Sequence, residues 1–155
     1  MSHPDAYTPS LRTRFLGDHD RLEVLFEELL RAFEDNDREA VARLWNEFDS
    51  GLQAHFAAEE AVLFPAMETH HPHETMELKE EHDAFRQKLT ELGIGVDLHL
   101  VKLDDARAFI RSLRQHARRE DHLLYPWGTE HLRAAKKEAA LRRLERPRHV
   151  SPPAM

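Results

Sequence analysis

The sequence predicts an all-α protein: an up-down-up-down four-helix bundle with an additional C-terminal helix. Three observations point to it. Apolar residues recur at three- and four-residue spacing through four long segments, the connections between those segments are short and rich in Asp, Asn, Pro and Gly, and the second half of the chain repeats the pattern of the first.

Residues 1–9 carry two prolines among mostly polar residues and read as an arm. From Ser10 a helical stripe runs through His19, Leu22, Phe26, Leu29 and Phe33, and Glu34-Asp35-Asn36-Asp37 ends it. Asn36 followed by Glu39 resembles a capping box that opens the second helix, whose stripe is Val41, Leu44, Phe48, Leu52, His55, Glu59 and Leu63. Pro65 is expected to bend or loosen its last turn. After a turn over residues 68–73 the third helix starts near Pro72 and carries His82, Phe85, Leu89 and Leu92, with Gly93-Ile94-Gly95 as its stop. The fourth begins between Asp97 and Asp104 and carries Ala106, Phe109, Leu113, His116, Glu120 and Leu124 before Pro126. A break is expected near Trp127-Gly128, and residues 130–146 are helical by composition and basic on balance. The chain thus divides into an arm (1–9), a bundle (10–127), a C-terminal helix (128–146) and a proline-bearing tail (147–155).

A length of 155 residues suits one domain with a buried core. The net charge of −7 argues against a general nucleic-acid binder. With no cysteine there is no disulfide framework, thiolate metal site or thiol nucleophile, so histidine and carboxylate must supply any metal chemistry. The first residues lack the basic and then apolar runs of a signal peptide, and no apolar run approaches the roughly 20 residues of a membrane span, so the expected location is cytoplasmic.

The chemistry lies in a word written twice. His55-Phe-Ala-Ala-Glu59-Glu-Ala-Val-Leu-Phe-Pro65 returns as His116-Ala-Arg-Arg-Glu120-Asp-His-Leu-Leu-Tyr-Pro126, and each copy is preceded at nearly the same offset by a stripe histidine, in Asp18-His19 and Glu81-His82. A His and a Glu four apart on a helix project from one face about 6 Å apart along the axis, so both can address one ion. One such pair is commonly a surface contact. Two pairs, each with a further histidine and all on apolar stripes, point to a two-metal site built from His19, His55, Glu59, His82, His116 and Glu120. A charged Glu in a core costs several kcal/mol or more unless it is paired, and bound cations offset that cost. Imidazole and carboxylate together suit iron, manganese or zinc. No stripe histidine has a glutamate three residues before it, as ferritin-like bundles require, and there is neither a His-Glu-x-x-His nor a Gly-rich phosphate loop.

The paired motif H-x-x-x-E-x-x-(V/L)-L-(F/Y)-P resembles that of the hemerythrin-like, or HHE cation-binding, family, and the resemblance covers nearly all of residues 10–127. It implies a four-helix bundle around two non-haem Fe ions bridged by oxygen, with Mn or Zn as substitutes. It further implies that His19, His55, His82 and His116 are terminal ligands and that Glu59 and Glu120 bridge. Oxygen carriers of the family have another histidine four residues before that of the third helix; Leu78 stands there instead, which weakens simple oxygen carriage and favours reaction. His116 and Asp121 also fit a His-x-x-x-x-Asp spacing, leaving Asp121 as an alternative bridge. The internal repeat favours Glu120, because Glu59 is its counterpart and Asp121 matches Glu60.

The expected function is binding of dioxygen or a related small oxidant at a carboxylate-bridged metal pair. The alternatives are a peroxide- or nitric-oxide-processing enzyme, and an iron or oxygen sensor or iron-storage module. His70, His71 and His73 are read as a solvated turn, and His122 as turned away from the site. His99 or a tyrosine is held open as filler of the vacant position, while Phe26, Phe56, Phe64, Phe85, Phe109 and Tyr125 are read as core. The basic residues Lys136, Lys137, Arg142, Arg143, Arg146 and Arg148 offer a docking face for an acidic protein partner, with a solvated helix face as the plainer reading.

Overall fold

The computed structural model describes residues 10–145, and the arm at 1–9 and the tail at 147–155 lie outside them, as do Arg146 and Arg148. The described residues form five helices and no strand. Helix α1 is Leu11–Glu34, α2 spans residues 38–68, α3 is Pro72–Asp97, α4 spans residues 103–131 and α5 is Ala134–Glu145. Helix α1 packs against α2 and α4, α2 against α3, and α3 against α4, which closes a ring of four. None of the helices is long and apolar enough to cross a membrane.

The turns differ from expectation in instructive ways. Asn36 does not cap α2; it takes a left-handed conformation (φ 53°), and the Asp37 amide reaches back to the Ala32 carbonyl at 3.1 Å to close α1. Asp37 is the N-cap, its carboxylate accepting from the Ala40 amide at 3.2 Å. The glycines at 93 and 95 do not stop α3, which runs on to Asp97. There His99 is the left-handed residue (φ 58°), and the Leu100 amide returns to the Gly95 carbonyl at 2.8 Å. Gly95 instead makes room, since a Cβ there would lie 2.7 Å from Cγ2 of Val101. The expected break at Trp127-Gly128 falls later, at Leu132, where the backbone becomes extended. Gly128 stays helical, and a Cβ on it would meet Leu11 at 2.8 Å.

Neither Pro65 nor Pro126 breaks its helix, because each follows a π-helical turn: Glu59–Leu63 in α2 and Glu120–Leu124 in α4. In each, the amide just before the proline donates five residues back, Phe64 to Glu59 and Tyr125 to Glu120.

The apolar interior is in two parts. One cluster includes Phe26, Phe48, Phe85, Leu89 and Phe109, towards the α1–α2 and α3–α4 connections. The other includes Leu11, Phe15, Phe64, Leu78 and Trp127, towards the opposite end, and there Ala140 and Leu144 of α5 are buried as that helix packs on α1 and α2. Between the clusters lie buried polar residues: His55, Glu59, His82, His116 and Glu120.

Candidate metal centre

All six side chains singled out by the repeat converge in this polar belt. Two groups within it have the donors and spacing to hold an ion: His19, His55, Glu59 and Glu120, and Glu59, His82, His116 and Glu120. The two glutamates belong to both groups. Five of the six are fully or almost fully buried, and only the His19 side chain, at 13 %, reaches solvent.

Each imidazole is aimed by a carboxylate outside this set. Nδ1–H of His19 donates to Asp121 at 2.9 Å, that of His55 to Asp18 at 2.7 Å, that of His82 to Glu60 at 2.8 Å and that of His116 to Glu81 at 3.0 Å. Since an ionised carboxylate only accepts, Nδ1 carries the hydrogen in every case, and the Nε2 lone pairs are left facing inward. These partners obey the repeat. The residues preceding His19 and His82 hold the next histidine of their own half, whereas those following Glu59 and Glu120 hold the first histidine of the other half. Arginines steady three of the four: Arg21 on Asp18, Arg86 in a two-pronged pair with Glu60 at 2.6 Å, and Arg119 on Glu81. Asp121 has no arginine among the described ion pairs.

The donor set fits a pair of cations. Nε2 of His19 lies 2.9 Å from Nε2 of His55, and Nε2 of His82 lies 3.2 Å from that of His116. Two lone pairs at such distances repel unless a proton or a metal ion lies between them. Donors about 2.1 Å from one ion and at right angles to each other stand about 3.0 Å apart, so these spacings are those of a ligand shell. Oε1 of Glu59 and Oε2 of Glu120 are buried without a hydrogen-bond partner, and both belong to carboxylates shared by the two groups. Buried orphaned carboxylate oxygens are costly, and a bound cation would satisfy them.

The electrostatics without an ion point the same way. Burial opposes charge on His19, but Asp121 and Glu120 outweigh it and raise its pKa to about 10. His82 is also opposed by burial and raised by Glu120, Glu59 and Glu60, to about 11. His55, against burial, is raised by Glu59 and Asp18 to about 8. Burial works against charge on Glu120, yet the surrounding histidines, His116 first, hold its carboxyl well below the usual range. The belt therefore attracts positive charge, and protons fill the role when metal does not.

Tyr125 belongs to the site, although periodicity assigned it to the core. Its hydroxyl donates to Oε2 of Glu59 at 2.7 Å and lies 2.9 Å from Nε2 of both His19 and His55. In a regular α-helix a residue five after Glu120 would point about 140° away. The π turn brings Tyr125 round to the face of Glu120, with 3.3 Å between the hydroxyl and the carboxylate. A proline six residues after the motif glutamate, inside a segment that otherwise reads as helix, is the sequence signal that could have found it.

The remaining histidines stand apart. His99 lies at the α3–α4 connection beside Arg38 and Lys102, in a different cleft, and does not fill the vacancy. His122 is exposed. His71 and His73 face Glu74 and Glu77 at 3.9 and 3.2 Å, while His70 lies against Trp127, so the three do not converge. Of the aromatics, Phe56 stacks on His82 with 3.9 Å between ring centres, Phe64 lies 4.9 Å from the same ring and Phe85 lies 5.2 Å from His116. The site is open on one side: a cleft of about 310 Å³ between α1 and α4 runs past Leu22, Phe26, Leu113 and Ala117 to His19, His55, His116 and Glu120.

Comparison with known proteins agrees with this picture. The family model for the hemerythrin HHE cation-binding domain matches residues 11–128. No curated protein and no solved structure matches the chain.

Proposed function

The chain belongs to the hemerythrin HHE cation-binding domain family, and from that premise we propose that it is a non-haem di-iron protein of the up-down-up-down bundle type. In this reading it binds dioxygen or a related small oxidant at the metal pair. His19 and His55 would hold one ion and His82 and His116 the other, with Glu59 and Glu120 shared between them. The observation that carries this reading is the arrangement of imidazoles: four Nδ1 atoms tied outward to four carboxylates, with four Nε2 atoms turned in on two shared glutamates.

Bound iron would supply the electrons for the chemistry. The chain's own residues do the rest. The outward carboxylates keep each imidazole in one tautomer and orientation. Phe56 and Phe64 pack on the completely buried His82, while the cleft between α1 and α4, which His19, His55 and His116 all line, admits a small ligand. The Tyr125 oxygen lies against Oε2 of Glu59 and beside Nε2 of His19 and of His55.

The test is metal analysis of anaerobically purified protein together with its optical spectrum, before and after dioxygen or peroxide is added to the reduced form. Two irons per chain and new oxo-bridged ferric bands are expected. Absence of iron, or a spectrum indifferent to oxidant, would refute the proposal. Leu78, standing where oxygen carriers of the family have a further histidine, favours a second reading, turnover of peroxide or nitric oxide at the position left open. Sustained substrate consumption by a catalytic amount of protein separates turnover from binding.

A further inference from the structure

We infer that Tyr125 is a fifth protein donor, through its phenol oxygen, to the ion held by His19, His55, Glu59 and Glu120, so that the two halves of the centre are chemically unequal. The inference rests on the metal-pair reading above.

The hydroxyl is surrounded by the very atoms that form the first ion-holding group. It stands 2.9 Å from Nε2 of His19, 2.9 Å from Nε2 of His55, 2.7 Å from Oε2 of Glu59 and 3.3 Å from Oε1 of Glu120. Those atoms are spaced from one another in the same way: 2.9 Å between the two Nε2 atoms, 3.4 Å from His19 to Glu120 and 3.4 Å from His55 to Glu59. The phenol oxygen thus occupies a vertex of the shell rather than a place behind it. A phenol has one hydrogen, which can serve one of these four acceptors. A cation shared among all five atoms also engages the lone pairs directed at the others.

The second half has no equivalent. The residue matching Tyr125 in the repeat is Phe64, whose ring lies 4.9 Å from that of His82 and carries no donor. The cleft reaches both halves, since His19 and His55 of the first and His116 of the second all line it, while His82 is completely buried. Binding of the Tyr125 oxygen to the ion of the first half would break the O–H bond and release its proton to solvent. The resulting anionic oxygen favours the more highly charged state of the ion in that half.

Resonance Raman spectroscopy of the iron-loaded, air-oxidised full-length protein tests this directly, because the chain has only two tyrosines. Iron-bound phenolate ring modes are expected in the wild type and in Tyr7→Phe, and are expected to vanish in Tyr125→Phe. In a zinc titration against a competing chelator, Tyr125→Phe should weaken one of the two ions by roughly 10-fold or more and leave the other unchanged. Two bound ions without phenolate modes in the wild type, or modes that persist in Tyr125→Phe, would overturn the inference and leave the metal pair standing. A wild type that binds fewer than two ions overturns both. Should Tyr125→Phe fail to fold, the wild type and Tyr7→Phe spectra decide on their own.

Discussion

Asp121 and His19 are 102 residues apart in the chain, yet the Asp121 carboxylate accepts from Nδ1 of His19 at 2.9 Å. Glu60 bears the same relation to His82 at 2.8 Å. Asp121 therefore orients an imidazole, and as its counterpart Glu60 does the same, the spacing that suggested Asp121 as a bridge has another explanation. These two contacts tie the halves of the repeat to each other.

The outward carboxylates are expected to govern metal affinity without governing the fold. Glu81→Gln should leave the helical content intact and weaken metal binding about 10- to 100-fold, as read by chelator competition. Unchanged affinity would remove the orienting role.

The bridging assignment predicts a larger effect. Glu120→Ala removes an oxygen from both ion-holding groups and strands buried charged histidines, so bound metal should fall below one ion per chain. The metal-free protein should lose about 3–5 kcal/mol of stability. Metal analysis and urea denaturation check the two halves of this statement.

Without metal, stability should fall as pH rises. His19, His55 and His82 have folded pKa values of about 10, 8 and 11, against 6.5 when unfolded. Between pH 6.5 and about 11 the folded chain therefore holds more protons than the unfolded one, and the stabilisation present below 6.5 is progressively lost. Glu60, against burial, is lowered to about 2 by His82 and Arg86, so its own contribution is lost as pH falls from 4.5 towards 2. Metal binding displaces the imidazole protons and should tighten with rising pH. Thermal melts across this range, with and without zinc, should show opposite trends.

Phe48 offers a control remote from the chemistry. It is completely buried against Phe26, Trp45 and Phe109, so Phe48→Ala should cost about 3–5 kcal/mol. At saturating metal the stoichiometry should stay the same. A changed ion count would mean that core packing, and not the donor set, limits the site.

Access can be tested at Ala117, half-buried on the wall of the cleft between α1 and α4. Ala117→Trp should leave the bound metal unchanged and slow the reaction of the oxidised protein with azide, as followed by stopped-flow absorbance. An unaltered rate would place the route elsewhere.

The convergence of six side chains was legible because His-x-x-x-Glu repeats put them on single helical stripes, and helical stripes survive in sequence. The carboxylates Asp18, Glu60, Glu81 and Asp121 were not, because each sits one residue off the stripe and two of them act across the halves. The sequence holds a tyrosine open for the vacant position, but an α-helical period puts Tyr125 in the core, because the π turn that displaces every later residue around the axis leaves no mark in that period. The helix ends at Asn36 and His99 were misread because left-handed residues close them through backbone bonds that composition does not record.

The polar belt leaves the protein without one continuous greasy seam. Each end of the bundle has its own apolar lobe, and the joint between them is held by charges that repel or attract according to what sits among them. With cations in place the lobes are riveted at the waist and should open together; stripped of them, each can breathe alone, in the manner of separate cooperative units. Metal supply would then set not only what the protein can do but how firmly its two ends are joined.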